Sequence, residues 1–349
     1  MCVNSLTLLC PWAQTVPKCR LSQYNVLMEI EIEENIDMST GKALATNAPG
    51  TAAACPNAAS APAAGTTPTR SALIMEGGAM RGMFTCGVMD VLMENGIRFD
   101  GGSGISAGAV FGCNYKSRQI GRPIRYNKNY CKDPRYCSFR SLIKTGDYYG
   151  ADFCYRAIPD ELDIFDRETF AKDPMEFYIG ATDVHTGKIV YHRCTDGGAK
   201  DIEWMRASAS MPILSKVVKI DNYRLLDGGM ADAVPYSKME ELGYNRNVIV
   251  LTQPKGYVKK KASALLFKMF LRKYPAVVKA MKDRHLMYNR QLEEIAAKEE
   301  AHEAIVIRPP EPLKIGRASK KPEELERVYQ IGRTEAARRL PEIREFLGQ

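Results

Sequence analysis

Residues 71–112 read SALIMEGGAMRGMFTCGVMDVLMENGIRFDGGSGISAGAVFG, and this stretch decides the fold. Ser71–Met75 is a short apolar run, suited to a strand buried on both faces. The glycine-rich segment Glu76-Gly77-Gly78-Ala79-Met80-Arg81-Gly82 follows. Phe84, Val88, Val91 and Leu92 then recur at helical spacing, and Asn95-Gly96 stops the helix. The order is strand, glycine turn, helix. Amides of such a turn point at whatever lies over the helix N-terminus, where the helix dipole also favours negative charge. Taken alone, the loop has three readings. A dinucleotide site would want G-x-G-x-x-G, but Ala79 holds the second glycine position and no acidic residue is placed to hold a ribose. An oxyanion-binding loop would use the amides of Gly78 and Ala79. The third reading is a tight strand–helix turn and nothing more.

The next motif changes the balance. Gly104-Ile105-Ser106-Ala107-Gly108 is G-x-S-x-G at a strand-to-helix junction. A nucleophilic serine sits on a sharp, strained turn, so its neighbours must be minimal for the hydroxyl to project. Chance produces the pentapeptide often, but its position adds information. The first glycine loop lies about twenty residues upstream, one helix away. That spacing brings the C-terminal ends of two adjacent strands, with both loops, to one edge of a sheet. Ser106 is the candidate nucleophile.

A serine hydroxyl needs a neighbour to take its proton. The four histidines, His185, His192, His285 and His302, are scattered. The last two sit in charged, helix-like surroundings. The first two flank a Thr186-Gly187 turn within an expected hairpin, Phe177 to His192. Two Asp-Gly-Gly triplets offer a carboxylate instead. Asp196-Gly197-Gly198 follows polar residues and reads as a plain turn before a helix. Asp227-Gly228-Gly229 follows the apolar end Leu225-Leu226, which suits a strand that delivers a carboxylate to another loop. Asp227 is therefore the candidate base.

In this order and spacing, EGGAMRG, GISAG and ASASMP…LLDGG…AVP resemble the patatin-like phospholipases, most closely their bacterial branch. The resemblance covers residues 71 to about 310 and extends toward 349. It implies a three-layer α/β/α fold around a mainly parallel sheet, with added C-terminal helices. It implies a Ser106–Asp227 dyad without histidine, metal or cofactor, and an oxyanion loop of Gly77, Gly78, Ala79, Met80, Arg81 and Gly82. Gly104, Ile105, Ala107 and Gly108 form the nucleophile elbow, and Gly228 and Gly229 support the base. The implied activity is hydrolysis of lipid acyl esters through an acyl-enzyme. Ala79 departs from the family's usual glycine; since only an amide is required, alanine serves there if its φ is negative. Two alternatives stay open: a carboxylesterase or thioesterase acting on soluble substrates, and a non-catalytic membrane-binding member.

The remaining sequence sets bounds. The chain has 349 residues with 45% hydrophobic and 26% charged, which fits one large α/β domain with additions. No run approaches the ~20 apolar residues of a spanning helix. Ten cysteines lack any CxxC spacing, which fits reduced thiols in a cytoplasmic protein better than zinc or a disulfide framework. Residues 1–70 include an Ala/Thr/Pro-rich stretch from Lys42 to Arg70 and are expected to be a disordered or extraneous tail, poor as a signal peptide. Met28, Met38 and Met75 are further candidate starts, and a chain starting at Thr69 is expected to fold. The expected division is then a hydrolase domain at 71–310 and a helical extension at 311–349.

The net charge of +8 attracts anions of any class. Lys255 to Arg290 concentrates basic residues around Leu265, Leu266, Phe267, Met269, Phe270 and Leu271. That pattern suits peripheral contact with an anionic membrane or, more plainly, a core-facing helix with a solvated side; no nucleic-acid motif accompanies it. Tyr115 to Tyr155 follows the nucleophile helix and reads more readily as a solvated surface insertion than as a pocket wall. Oligomeric state is not legible.

Overall fold

The computed structural model describes residues 69–349, the side chains of residues 264–266 apart. The expectation of a tail at residues 1–70 therefore falls almost entirely outside the described residues. In chain order the elements are β1 (Ser71–Met75), α1 (Gly82–Glu94), β2 (Gly101–Ile105), α2 (Ala107–Lys116), α3 (Arg122–Tyr130), α4 (Phe139–Thr145) and α5 (Arg167–Lys172). Then come β3 (Glu176–Asp183), β4 (Ile189–Cys194), α6 (Ala199–Ser208), β5 (Val218–Ile220), β6 (Tyr223–Asp227), α7 (Tyr236–Glu241) and β7 (Arg246–Val250). The chain ends with α8 (Ala264–Phe270), α9 (Pro275–Glu300), β8 (Ala304–Ile307) and α10 (Pro322–Leu347). A π-helical segment, Phe153–Leu162, lies between α4 and α5.

The strands form one eight-stranded sheet in the order β5-β6-β3-β2-β1-β7-β8, with β4 also paired to β3. The run β3-β2-β1-β7-β8 is parallel throughout. β4, β5 and β6 pair antiparallel. All five residues of β1 are buried, as a central parallel strand requires. Its pleat separates two cores. Leu73 and Met75 join Phe84, Val88 and Leu92 of α1 and Leu325 and Val328 of α10 on one face. Ala72 and Ile74 join Met239 of α7 and Tyr288 and Ile295 of α9 on the other. The result is the expected three-layer α/β/α arrangement.

The C-terminal helices are integral to these layers. α10 crosses α1 so closely that a Cβ on Gly332 would lie 2.0 Å from Phe84 O, and one on Gly87 would lie 2.1 Å from Tyr329 O. Only glycine permits that backbone approach. The sequence suggested more than one helix in the extension at 311–349. The chain instead keeps one helix through Pro341, whose solvent-side position spares the buried stripe of Leu325, Val328, Ala336 and Ile343.

Candidate active site

Ser106 joins β2 to α2 with φ 54° and ψ −118°, outside the regions an L-residue favours. The flanking glycines explain how the turn closes. A Cβ on Gly104 would lie 2.2 Å from Gly108 O, and one on Gly108 would lie 2.4 Å from Met75 O. Ala107 and Ile105 are buried on either side and anchor the turn in the core. The serine is thereby forced outward at the C-terminal edge of the sheet.

Ser106 Oγ donates to Asp227 Oδ2 at 2.7 Å. Asp227 ends β6 and is only 8% exposed. Its Oδ1 accepts from Gly229 N at 2.8 Å, its own N–H donates to Ser210 O, and Thr182 Oγ1 donates to its carbonyl. Burial pushes the Asp227 carboxyl above the usual carboxylate range; the Ser106 hydrogen bond, the Arg284 charge and the Gly229 amide offset this only in part. Gly228 packs against Gly180 O and Ile105, so it holds β6 against the end of β2.

The segment ASASMP, quoted without a structural role in the sequence, holds both residues. Ser208 Oγ accepts from Ser106 N at 2.9 Å and donates to Gly180 O at 2.6 Å. Ser210 holds Asp227 through its carbonyl.

The glycine loop lies against this pair. A Cβ on Gly77 would come within 3.1 Å of Ser106 Cβ. Gly77, Gly78, Ala79 and Arg81 border the same cavity as Ser106, while Met80 is buried toward a second one and Gly82 opens α1 against Phe111 and Ala107. Ala79 has φ 49°, so the condition under which alanine would serve in this loop, a negative φ, is not met. The loop keeps its left-handed turn at this position although the side chain is not glycine's, at a cost of about 1–2 kcal/mol. Glu76, 2% exposed, accepts from Thr252 N at 2.5 Å and Tyr288 OH at 2.5 Å. It ties the loop to β7 and α9.

Ser106 stands between two cavities. One, about 880 Å³, is lined by apolar and aromatic side chains including Val110, Phe111, Tyr126, Tyr149 and Ile158. Much of its wall comes from residues 115–155, so that segment is a pocket wall and not the solvated insertion the sequence favoured. Its tyrosines turn inward: Tyr126, Tyr136 and Tyr148 are buried. The other cavity, about 1180 Å³, is the more polar of the two: Asp227, Arg81, Lys259, Arg284 and Arg317 share its wall with Met211, Leu214, Met230 and Phe267. Arg284 Nε donates to Gly229 O at 2.6 Å. The sequence reading missed Arg284 and Tyr288 inside a basic run. Val277, Met281, Arg284, Tyr288 and Ile295 recur at helical spacing, and that stripe marks the inward face of α9.

The other sequence candidates fall elsewhere. Asp196 Oδ1 accepts from Gly198 N and makes the turn before α6. His185 and His302 are exposed, and no histidine borders either cavity. The donor atoms of His192, Cys194 and Asp201 lie within 4.8 Å of one another. Asp201 is nonetheless filled by His192 Nε2 and the amides of Thr195, Asp196 and Gly197, so the group holds a turn together. Among the described residues no helix is long and apolar enough to cross a membrane.

Known proteins bear on this site. Residues 274–348 match a family model described as a domain of unknown function (DUF6363). The chain is 28% identical over 196 residues to the uncharacterized protein YjjU of Escherichia coli (strain K12), covering 54% of this chain and 53% of that protein. The chain thus spans about half the length of that curated relative. The crystal structure of VipD from Legionella pneumophila aligns with 79% of this chain and 67% of that one, at TM-score 0.40 and 12% identity. Residues 73–239 match the model described as patatin-like phospholipase, and the chain therefore carries a patatin-like phospholipase domain.

Proposed function

We propose that the protein is a serine acyl-hydrolase of lipid esters in which Ser106 is the nucleophile and Asp227 the general base. The observation that carries this reading is the 2.7 Å Ser106–Asp227 hydrogen bond at the junction of an apolar and a polar cavity. Membership of a domain family named for phospholipases supports it. As Ser106 Oγ bonds to the ester carbonyl carbon, its proton passes to Asp227 Oδ2. The carbonyl oxygen becomes an oxyanion beside the glycine loop, where the amides of Gly77 and Gly78 are the assigned donors. Collapse breaks the ester C–O bond, and the departing alkoxide takes the proton back from Asp227. Water, deprotonated by Asp227, then attacks the acyl carbonyl; the acyl–Oγ bond breaks, Ser106 Oγ takes the proton back from Asp227, and the carboxylic acid leaves. The raised Asp227 pKa brings its basicity closer to what proton transfer at neutral pH needs. The acyl chain is assigned to the apolar cavity and the alcohol portion to the polar one.

Membrane contact is assigned to the surface beside the polar cavity. Within residues 255–290, which also supply Lys259, Phe267, Met281 and Arg284 to that cavity's wall, Val258, Met269 and Leu286 are 67%, 54% and 62% exposed, and Lys255, Lys260, Lys261 and Lys268 are exposed as well. Such a surface suits an anionic interface. Nitrophenyl esters of increasing chain length, then phospholipids, test the activity. Rates that rise with chain length and vanish in Ser106→Ala support the reading, whereas a preference for acetyl esters transfers it to a soluble carboxylesterase. Flotation with and without anionic lipid tests the surface; equal non-binding to both retires it.

A further inference from the structure

The apolar cavity beside Ser106 is not apolar throughout. Among the described residues, Tyr126, Tyr136, Tyr149 and Tyr155 line it. Two of these have spent their hydroxyls elsewhere: Tyr136 OH donates to Asn127 Oδ1 at 2.6 Å, and Tyr149 OH donates to Arg317 O at 3.3 Å. The hydroxyls of Tyr126 and Tyr155 make no hydrogen bond among the described residues. Tyr126 is only 6% exposed, and its contacts run through its ring, to Phe111 at 6.5 Å between centroids and to the Arg122 guanidinium at 5.3 Å. Arg122 itself is committed to Asn114 Oδ1 and Asp163 O. Burial pushes both the Tyr126 and the Tyr155 phenol above their ordinary range, so each keeps its O–H and can donate.

A plain alkyl chain in this cavity would cover those two hydroxyls and pair neither, which weakens binding. A chain carrying an alcohol at the right depth pairs both, because its oxygen can accept from one phenol while its own O–H donates to the other. The depth follows from α2. Ala107, Val110, Phe111 and Cys113 line the cavity, so it follows that helix away from Ser106 for about 10 Å at ~1.5 Å per residue. Tyr126 packs on Phe111, and Cys113 and Tyr155 are among the groups whose charge acts on it. An extended chain covers about 1.2 Å per bond, which puts this depth about six to eight carbons from the carbonyl.

We infer that Tyr126, with Tyr155, reads a hydroxyl on the acyl chain, so that the enzyme prefers esters of fatty acids hydroxylated in mid-chain over esters of plain ones. This rests on the acyl-hydrolase reading above and names the acyl group that site takes. A pocket built to pair a substrate hydroxyl discriminates against the analogue lacking it, since its own buried polar groups are then left without partners.

The test uses the full-length protein and nitrophenyl decanoate, plain or with one hydroxyl at about the sixth to the eighth carbon, all below aggregation. Wild type should show a kcat/KM about tenfold higher for the best hydroxylated ester than for the plain one. Tyr126→Phe removes one oxygen and keeps the ring. It should bring the ratio down about tenfold and raise kcat/KM for the plain ester, two opposite changes that a loss of packing does not produce. Tyr155→Phe should lower the ratio about threefold and covers a Tyr126 variant that does not fold. Tyr136→Phe, whose hydroxyl is already held by Asn127, should leave the ratio where it was. Equal kcat/KM for the plain and every hydroxylated ester in wild type overturns the inference and leaves the hydrolase reading standing. So does a preference that survives in both Tyr126→Phe and Tyr155→Phe, or one lost equally in Tyr136→Phe. Cleavage of no ester defeats the hydrolase reading instead, and calorimetric titration with plain and hydroxylated decanoic acid then decides the pocket alone. Tighter binding of the hydroxylated acid, lost in Tyr126→Phe, supports the inference, and equal binding of the two acids refutes it.

Discussion

Ile105 and Asp227 pair with consecutive residues of one strand, Gly180 and Ala181. β4 occupies the opposite side of β3 at both positions, through Tyr191 and Val190, so β2 and β6 share the remaining side. β2 runs parallel to β3 and β6 antiparallel, so the two strands approach end to end and stop one residue apart. Ser106 follows the end of one, and Asp227 is the end of the other. The carboxylate reaches the serine through sheet register, with no histidine between them.

From that register comes the first prediction. Ser106→Ala and Asp227→Asn should each lower ester turnover by at least about a thousandfold, because members of such a pair act as a unit. Asp196→Asn, a change in a turn, should stay within about twofold. Asp227→Asn should also melt no lower than wild type at neutral pH. The folded-state pKa of Asp227 is raised, so its stabilising contribution is complete below the unfolded pKa of about 4 and is lost as pH rises through the higher folded value. At pH 7 the buried charge is a cost that asparagine removes. Nitrophenyl-ester rates and thermal melts check both points, and loss of activity in Asp196→Asn alone would reassign the base.

The pH profile gives a second prediction. The base must be ionised, so kcat/KM on a neutral ester should fall toward acid with a midpoint above the ordinary carboxylate range. The Arg284 charge holds the Asp227 pKa down. Arg284→Gln should therefore move the acid limb to higher pH. An unmoved or acid-shifted limb would separate Arg284 electrostatically from the pair.

Ala79 offers a third. At φ 49° it carries a backbone cost of about 1–2 kcal/mol, while glycine would add about 0.4–1 kcal/mol of unfolded-state entropy. Ala79→Gly should leave stability equal or higher by up to about 1 kcal/mol and should retain ester turnover. Denaturant unfolding with a parallel rate assay measures both. A clear loss of stability would mean that the alanine methyl packs favourably enough to outweigh the strain.

Much of this was legible in the sequence because it depends on backbone demands. Gly104 and Gly108 are glycines since neighbouring carbonyls leave no room for a Cβ, and such constraints survive as motifs. The strand β1 and the end of β6 were readable from their apolar runs. What escaped depends on tertiary placement. Arg284 and Tyr288 look like members of a charged surface run until α9 turns their stripe inward. Tyr126 and Tyr149 read as polar surface until their rings line a cavity. The φ of Ala79 was not legible, because residue type gives only a preference, which loop closure overrode.

A fourth prediction concerns the α1–α10 crossing. Gly332→Ala would place a methyl 2.0 Å from Phe84 O, so the helices must part. Overpacking of this kind costs about 1–3 kcal/mol. Thermal melts should fall accordingly, and an unchanged melting temperature would show that α10 docks more loosely than this crossing implies.

The central claim is that Ser106 is a nucleophile activated by Asp227. Mass spectrometry of protein treated with a fluorophosphonate tests it most directly. Wild type should carry one covalent adduct, on the peptide containing Ser106, and folded Asp227→Asn sharply less of it. Folded wild-type protein that takes no label, or takes it on another residue, would contradict the claim.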